Sequence, residues 1–280
     1  MPITPTYFQQ AMPAISRPHD APTTSTTTSP IPPSRTHHFP SPKLRLHLDD
    51  LNHEGTSIFL SNIKASEDLP TQIQTVLNLL YTPTCPRPGT RSVTLILRQY
   101  DGLAYTTGSD LDPDHKEIHL NLSYIQRVGT ERARHEVLGV ICHELVHCFQ
   151  WNAQGSCPGG LVEGMADYVR LNAGLAARHW KQEAEGEWDK GYQHTGFFLQ
   201  WLESRFGEGT VRRLNGCLRE GGYDEGRVFG ECCRGRSVGE LWREYREELR
   251  RRGDGGSGTA RGEEEGRTIP TDTPPKHGDA

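Results

Sequence analysis

The sequence predicts an α+β domain. Three observations carry that prediction. Short runs with alternating or β-rich apolar residues come first, longer stretches with helical spacing come later, and glycine and proline clusters punctuate them. Leu44-Arg-Leu-His-Leu48 alternates and reads as a strand. Ile73, Val76, Leu77 and Leu80 lie on one face of a helix expected over Leu69–Leu80. Ser92–Leu97 is rich in β-formers and runs into the turn signal Tyr100-Asp-Gly. Gly108–Asp114 reads as an exposed loop, and Glu117–Leu122 as a strand with Ile118, Leu120 and Leu122 on one face. Thr130 is placed to cap a helix reaching about Trp151, with Glu131 in its first turn. Gly155, Pro158, Gly159 and Gly160 interrupt the chain before a second helix, Leu161–Asn172, which Gly174 stops. Further helices are expected over about Asp189–Ser204, over Thr210–Leu218, and from Ser237, where Ser237-Val-Gly-Glu240 matches a capping box.

Composition bounds the rest. The chain has 280 residues and a formal net charge of −5, which fits one domain with tails. Residues 1–42 are rich in Thr, Ser and Pro, and residues 253–280 in Gly, Glu, Thr and Pro, so both ends are expected to be disordered around a body over 43–252. The mixed Arg/Glu cluster at 243–252 reads as a solvated helix face, which gives no reason to expect nucleic acid as a partner. No stretch is apolar enough for an integral membrane segment. The N-terminus lacks the pattern of a secretory leader, and the seven cysteines are an odd count, so reduced thiols in an intracellular setting are expected. Nothing in the sequence sets the oligomeric state.

One motif carries chemistry. His143-Glu-Leu-Val-His147 puts two imidazoles one helical turn apart on the same face, where both can reach one Zn²⁺ ion. Glu144 follows the first histidine and is the candidate general base. A third ligand must come from elsewhere, and Glu163 on the second helix is the candidate, because the glycine-rich turn folds that helix back across the first. Asp167 lies four residues on, where it can accept a hydrogen bond from a ligand histidine and fix its tautomer. Tyr192 and His194 are the candidates for an oxyanion donor, with Tyr168 a further option that is expected to face elsewhere because it follows Asp167. Cys142 and Cys148 flank the histidines but sit about 100° from them around the helix, so buried free thiols are expected there. The strand Glu117–Leu122 is a candidate edge for pairing with an extended peptide.

His143–Asn152, Gly159–Leu171 and the shorter strings Asp101-Gly-Leu-Ala-Tyr105, Glu117–Leu120, Tyr124–Gln126, His179-Trp180 and Trp188-Asp-Lys-Gly-Tyr192 resemble the plant basic secretory protein family, peptidases of plants and bacteria. The likeness runs from about Leu44 to Leu249. It implies a single zincin-like metallopeptidase domain with an N-terminal mixed sheet and a mainly helical C-terminal half. It further implies His143, His147 and Glu163 as ligands, Glu144 as base, a peptide or protein substrate, and secretion as the alternative location. The chain departs from the family in its acidic charge and in a stretch, Thr106–Lys116, longer than the usual turn. The sequence supports a zinc-dependent metallopeptidase first. A zinc-stabilised binding or defence protein without turnover comes second, and a metal-dependent hydrolase of small amides third.

Overall fold

The computed structural model describes residues 36–128 and 130–255. Most of the expected disordered head and tail lies outside the described residues. Strands β1 (Lys43–Leu48), β2 (Ser92–Arg98), β3 (Ala104–Gly108) and β4 (His115–Asn121) form one mixed sheet in the order β1-β2-β4-β3. β1, β2 and β4 run parallel, and β3 is antiparallel to β4. Strands 1 and 2 are joined through α1 (Glu54–Asn62) and α2 (Ala65–Leu80), as a parallel crossover requires. Registry sets Leu46 against Leu95, Leu95 against Ile118, and Ile118 against Thr106. Val93, Leu95, Leu97, Ile118 and Leu120 are buried beneath the helices. Arg45 and His47, on the opposite face, are exposed. The sheet is therefore covered on one side by this domain's helices, the arrangement that produces apolar/polar alternation.

α3 (Leu122–Val128) leaves β4 without a break, and α4 (Ala133–Phe149) then crosses the core. α4 packs on α1, α2, α3, α5 and strands β3 and β4, so almost every position from Val137 to Phe149 is buried, polar ones included. Its start differs from expectation. The N-cap is Arg132 with no side-chain cap, and Thr130 and Glu131 lie ahead of the helix. Glu136 does the first-turn work instead, pairing with Arg132 at 2.9 Å and with Arg170 at 3.3 Å. The helix ends at Phe149, where Tyr81 Oη donates to the Phe149 carbonyl and Thr90 Oγ1 to the Cys148 carbonyl at 2.6 Å.

α5 (Gly159–Asn172) begins inside the glycine cluster, two residues before the expected Leu161. α6 (Tyr192–Phe206), α7 (Thr210–Cys217), α8 (Glu225–Cys232) and α9 (Val238–Gly255) complete the helical half. α6 starts three residues after the expected Asp189, because Gly191 takes φ +86 and delays the helix. The Ser237–Glu240 capping box forms reciprocally, at 3.1 and 3.4 Å. Phe198, Trp201, Trp242 and Tyr245 join α6 to α9 in an aromatic cluster, with Phe198 and Trp242 edge-on at 5.2 Å.

Two topological expectations are corrected. β4 is not an edge: β2 and β3 flank it on both sides. The edge beside α4 is β3, and the stretch 106–116 comprises the end of β3, the hairpin turn and the start of β4, with Leu111 almost fully exposed in the turn. β3 left no alternation to read, since all five of its residues are half-buried.

Candidate metal centre

α4 contributes the first side chains. His143 and His147 stand one turn apart with ring centroids at 4.9 Å and planes crossed at 81°. Glu163 comes from α5, which the turn at 153–158 folds back onto α4. That turn is held by the Asn152 side chain accepting from Gly155 N, and by Ala153 N donating to Leu218 O at 2.8 Å. His143 Nε2 lies 3.0 Å from Glu163 Oε2, and His147 Nε2 lies 3.6 Å from Glu163 Oε1. One donor atom from each of the three falls within 4.8 Å of the others. Donors around a tetrahedral zinc at about 2.1 Å stand about 3.4 Å apart, so these spacings suit an ion of that kind. The donor set fits a metal, and these three residues could hold one.

The surroundings fix the candidate ligands. Asp167, one turn beyond Glu163 and 3% exposed, has Oδ1 at 2.6 Å from His143 Nδ1. A proton on Nδ1 leaves the Nε2 lone pair directed at the donor group. Burial opposes a charged His143, but the Asp167 charge and hydrogen bond, reinforced by Glu163, hold its pKa well above the usual value. Burial and the neighbouring His143 hold His147 below it, against the pull of Glu163. Burial works to raise Glu163, yet the His143 hydrogen bond and the two histidine charges leave its pKa lowered.

Glu144 points to the sheet side. Thr106 Oγ1 from edge strand β3 lies 2.7 Å from Glu144 Oε2 and 3.0 Å from the Glu144 carbonyl. The strand thus carries the residue that sets the carboxylate's direction. No local pattern reveals this contact, because it joins residues 38 apart in sequence.

A glycine seam brings α6 over the centre. Gly160 and Gly164 share one face of α5. A Cβ on Gly160 would stand 1.6 Å from the Asp189 carbonyl oxygen, and one on Gly164 would stand 2.4 Å from Thr195 Cγ2. Backbones can therefore touch. Thr195 Oγ1 donates to Trp188 O at 2.7 Å and accepts from Gly191 N at 2.9 Å, which locks the loop. The result is Tyr192 at the head of α6, with φ +47, unusual for a residue with a side chain. Its ring stacks near His143 at 6.2 Å and 16°. Burial first, and then the Glu163, Asp167 and Glu144 carboxylates, push its phenol up to about 12, so it stays a donor near neutrality. The spacing of Gly160 and Gly164 was a readable signal for this seam.

His194 is not brought to the centre. Its Nε2 lies 3.0 Å from Glu187 O and its ring packs on Trp242 at 5.1 Å. The reason is helical phase: two residues from Tyr192, the side chain points well around α6. Tyr168 is buried and interacts with Glu203, away from the centre. Cys142 and Cys148 are free, buried thiols outside the donor group, with pKa values raised by burial, that of Cys142 to about 12.

Fold and site together define an α+β domain with a candidate metal centre where two helices cross beneath a strand edge. A family model described as peptidase of plants and bacteria matches residues 41–245. The chain belongs to that family, the basic secretory proteins. Comparison with curated proteins and with solved structures gave no match.

Proposed function

We propose that this protein is a zinc-dependent metallopeptidase of zincin type, acting on peptide or protein substrates. The carrying observation is the His143–His147–Glu163 donor group, buried but for the half-buried His147, with Glu144 beside it, in a chain of a peptidase family. Bound there, zinc supplies Lewis acidity, acidifying water to a pKa of about 7 and polarising a carbonyl.

The chain's own residues do the rest. Glu144, held by Thr106, takes a proton from the attacking water and passes it to the departing amide nitrogen as the carbon–nitrogen bond breaks. The Tyr192 phenol donates to the oxyanion that develops on the former carbonyl. The side of β3 that no other described strand pairs with takes the backbone of an extended substrate, which sets the scissile bond alongside Glu144. Asp167 holds His143 in its ligating tautomer.

The direct test is zinc per chain, measured by elemental mass spectrometry after dialysis against metal-free buffer. One zinc per chain is expected. No zinc, and no uptake when it is added back to folded protein, sinks the proposal. A second expectation concerns Tyr192. Tyr192→Phe is expected to lower kcat by about a hundredfold while zinc content stays at the wild-type level, since one oxyanion donor is lost. An unchanged kcat would remove Tyr192 from the chemistry.

A further inference from the structure

The two histidines of the centre are anchored differently. His143 Nδ1 meets a carboxylate, Asp167. His147 Nδ1 meets the side-chain amide nitrogen of Gln150, at 2.9 Å. Gln150 is the C-cap of α4, with φ −79 and ψ 155, and its own N–H donates to Val146 O at 2.8 Å. The chain is pinned on both sides of it. The Phe149 carbonyl accepts from Tyr81, and Trp151 N donates to the Asn215 side chain at 3.0 Å. The Gln150 side-chain amide is held, among the described residues, only by its nitrogen's contact with His147.

That amide matters because of proton placement. An amide nitrogen only donates, so facing His147 Nδ1 it requires a lone pair there and puts the imidazole proton on Nε2, the nitrogen that faces Glu163. A metal ligand needs the reverse: a proton on Nδ1 and a lone pair on Nε2. The Gln150 oxygen can accept that Nδ1 proton. Among the described residues this buried oxygen has no hydrogen-bond partner, so turning the amide over exchanges the nitrogen's bond to Nδ1 for the oxygen's and breaks no bond that the oxygen makes. The two ends of an amide have nearly the same size, and their partners decide which way it points.

We infer that Gln150 is a positioning residue of the metal centre: its side-chain carbonyl turns to accept from His147 Nδ1–H and fixes His147 as an Nε2 ligand. The inference rests on the metal-centre reading above. It makes the centre asymmetric, with one imidazole backed by a charged acceptor and the other by a neutral, rotatable one. The second imidazole is the weaker ligand, because a neutral partner adds less to its basicity.

The test uses the full-length protein, with zinc affinity read by competition against a chromophoric chelator. Gln150→Met keeps length and removes the acceptor, and it is expected to weaken zinc binding by about ten- to a hundredfold. Gln150→Glu keeps an acceptor and is expected to hold zinc at least as tightly as the wild type. Melting of the metal-free variants near the wild-type temperature separates positioning from folding. Proton–nitrogen NMR correlations of the zinc-loaded wild type are expected to place the His147 proton on Nδ1, a readout that needs no variant. Wild-type affinity in Gln150→Met, equal losses in both variants, or a proton on Nε2 each overturn the inference. A wild-type chain that takes up no zinc overturns the metal-centre reading itself and is recognised before any variant is compared.

Discussion

Glu144→Ala is expected to abolish peptide cleavage, with kcat/KM down by about a thousandfold or more, while one zinc per chain and the melting temperature are retained. The size follows from the loss of a positioned general base, worth about 10²–10⁴ in rate. Retention of the fold follows from Thr106. Its hydroxyl reaches both the Glu144 carboxylate and the Glu144 main-chain carbonyl, and the carbonyl remains in the alanine variant. No donor on β3 is orphaned, so the stability change stays at about 1 kcal/mol. Retention of zinc follows from Glu144 lying outside the donor group. The measurement is cleavage of a broad peptide library by wild type and variant, with zinc quantified in the same samples. Equal rates from the two proteins end the metallopeptidase reading. Chelator-insensitive cleavage by the wild type does the same. Zinc bound without any wild-type cleavage would leave the non-catalytic binding protein as the surviving alternative.

Gly160→Ala is expected to have the largest structural effect of a single methyl group. The added Cβ would meet the main-chain carbonyl of Asp189, which has no rotamer to change. α5 must then move away from the loop that delivers Tyr192. Overpacking of this sort costs about 3 kcal/mol, which lowers the melting temperature of a domain of this size by about 6–12 °C. Zinc affinity falls with it, because Glu163 and Asp167 ride on the same helix. Gly216→Ala is the control. Gly216 sits in α7 with nothing within 4 Å of the added carbon, and the same change there is expected to stabilise by about 0.5–1 kcal/mol. Thermal unfolding of the three proteins decides the matter. A Gly160→Ala protein that melts with the wild type would show that α5 and the 188–191 loop do not touch as described.

What could be read in advance depended on how local the signal was. α2, α5, α7 and α9 announced themselves through spacing, glycine stops or a capping box, all within a few residues. α4 was legible by its apolar flanks and its motif, although its first turn was misplaced because the Glu136 pair with Arg170 is a contact between helices. α1, α3, α8 and β3 carry no such local signal. α1 is short and depends on the His53 side chain accepting from Gly55 N. α3 follows Asn121 with no intervening break, and α8 contains Gly226 and Gly230. The order of the sheet could not be read, because strand neighbours are chosen by long-range packing. The same division runs through the site. His143, Glu144 and His147 share one helical turn and were visible together, and Glu163 and Asp167 were visible as an i, i+4 pair. Thr106 was not, since its partner lies across the fold.

β3 presents five residues and a side that pairs with no other strand among the described residues. An open strand edge accepts any extended backbone, including one from a second copy of the same chain, and long flat edges of this kind seed aggregates. Here the strand is short, ends at Gly108, and turns directly into a hairpin tip. It offers too few main-chain donors and acceptors to sustain an intermolecular sheet. Brevity protects the protein from itself, and under the proposed function it also keeps the grip on a cleaved product weak enough for release.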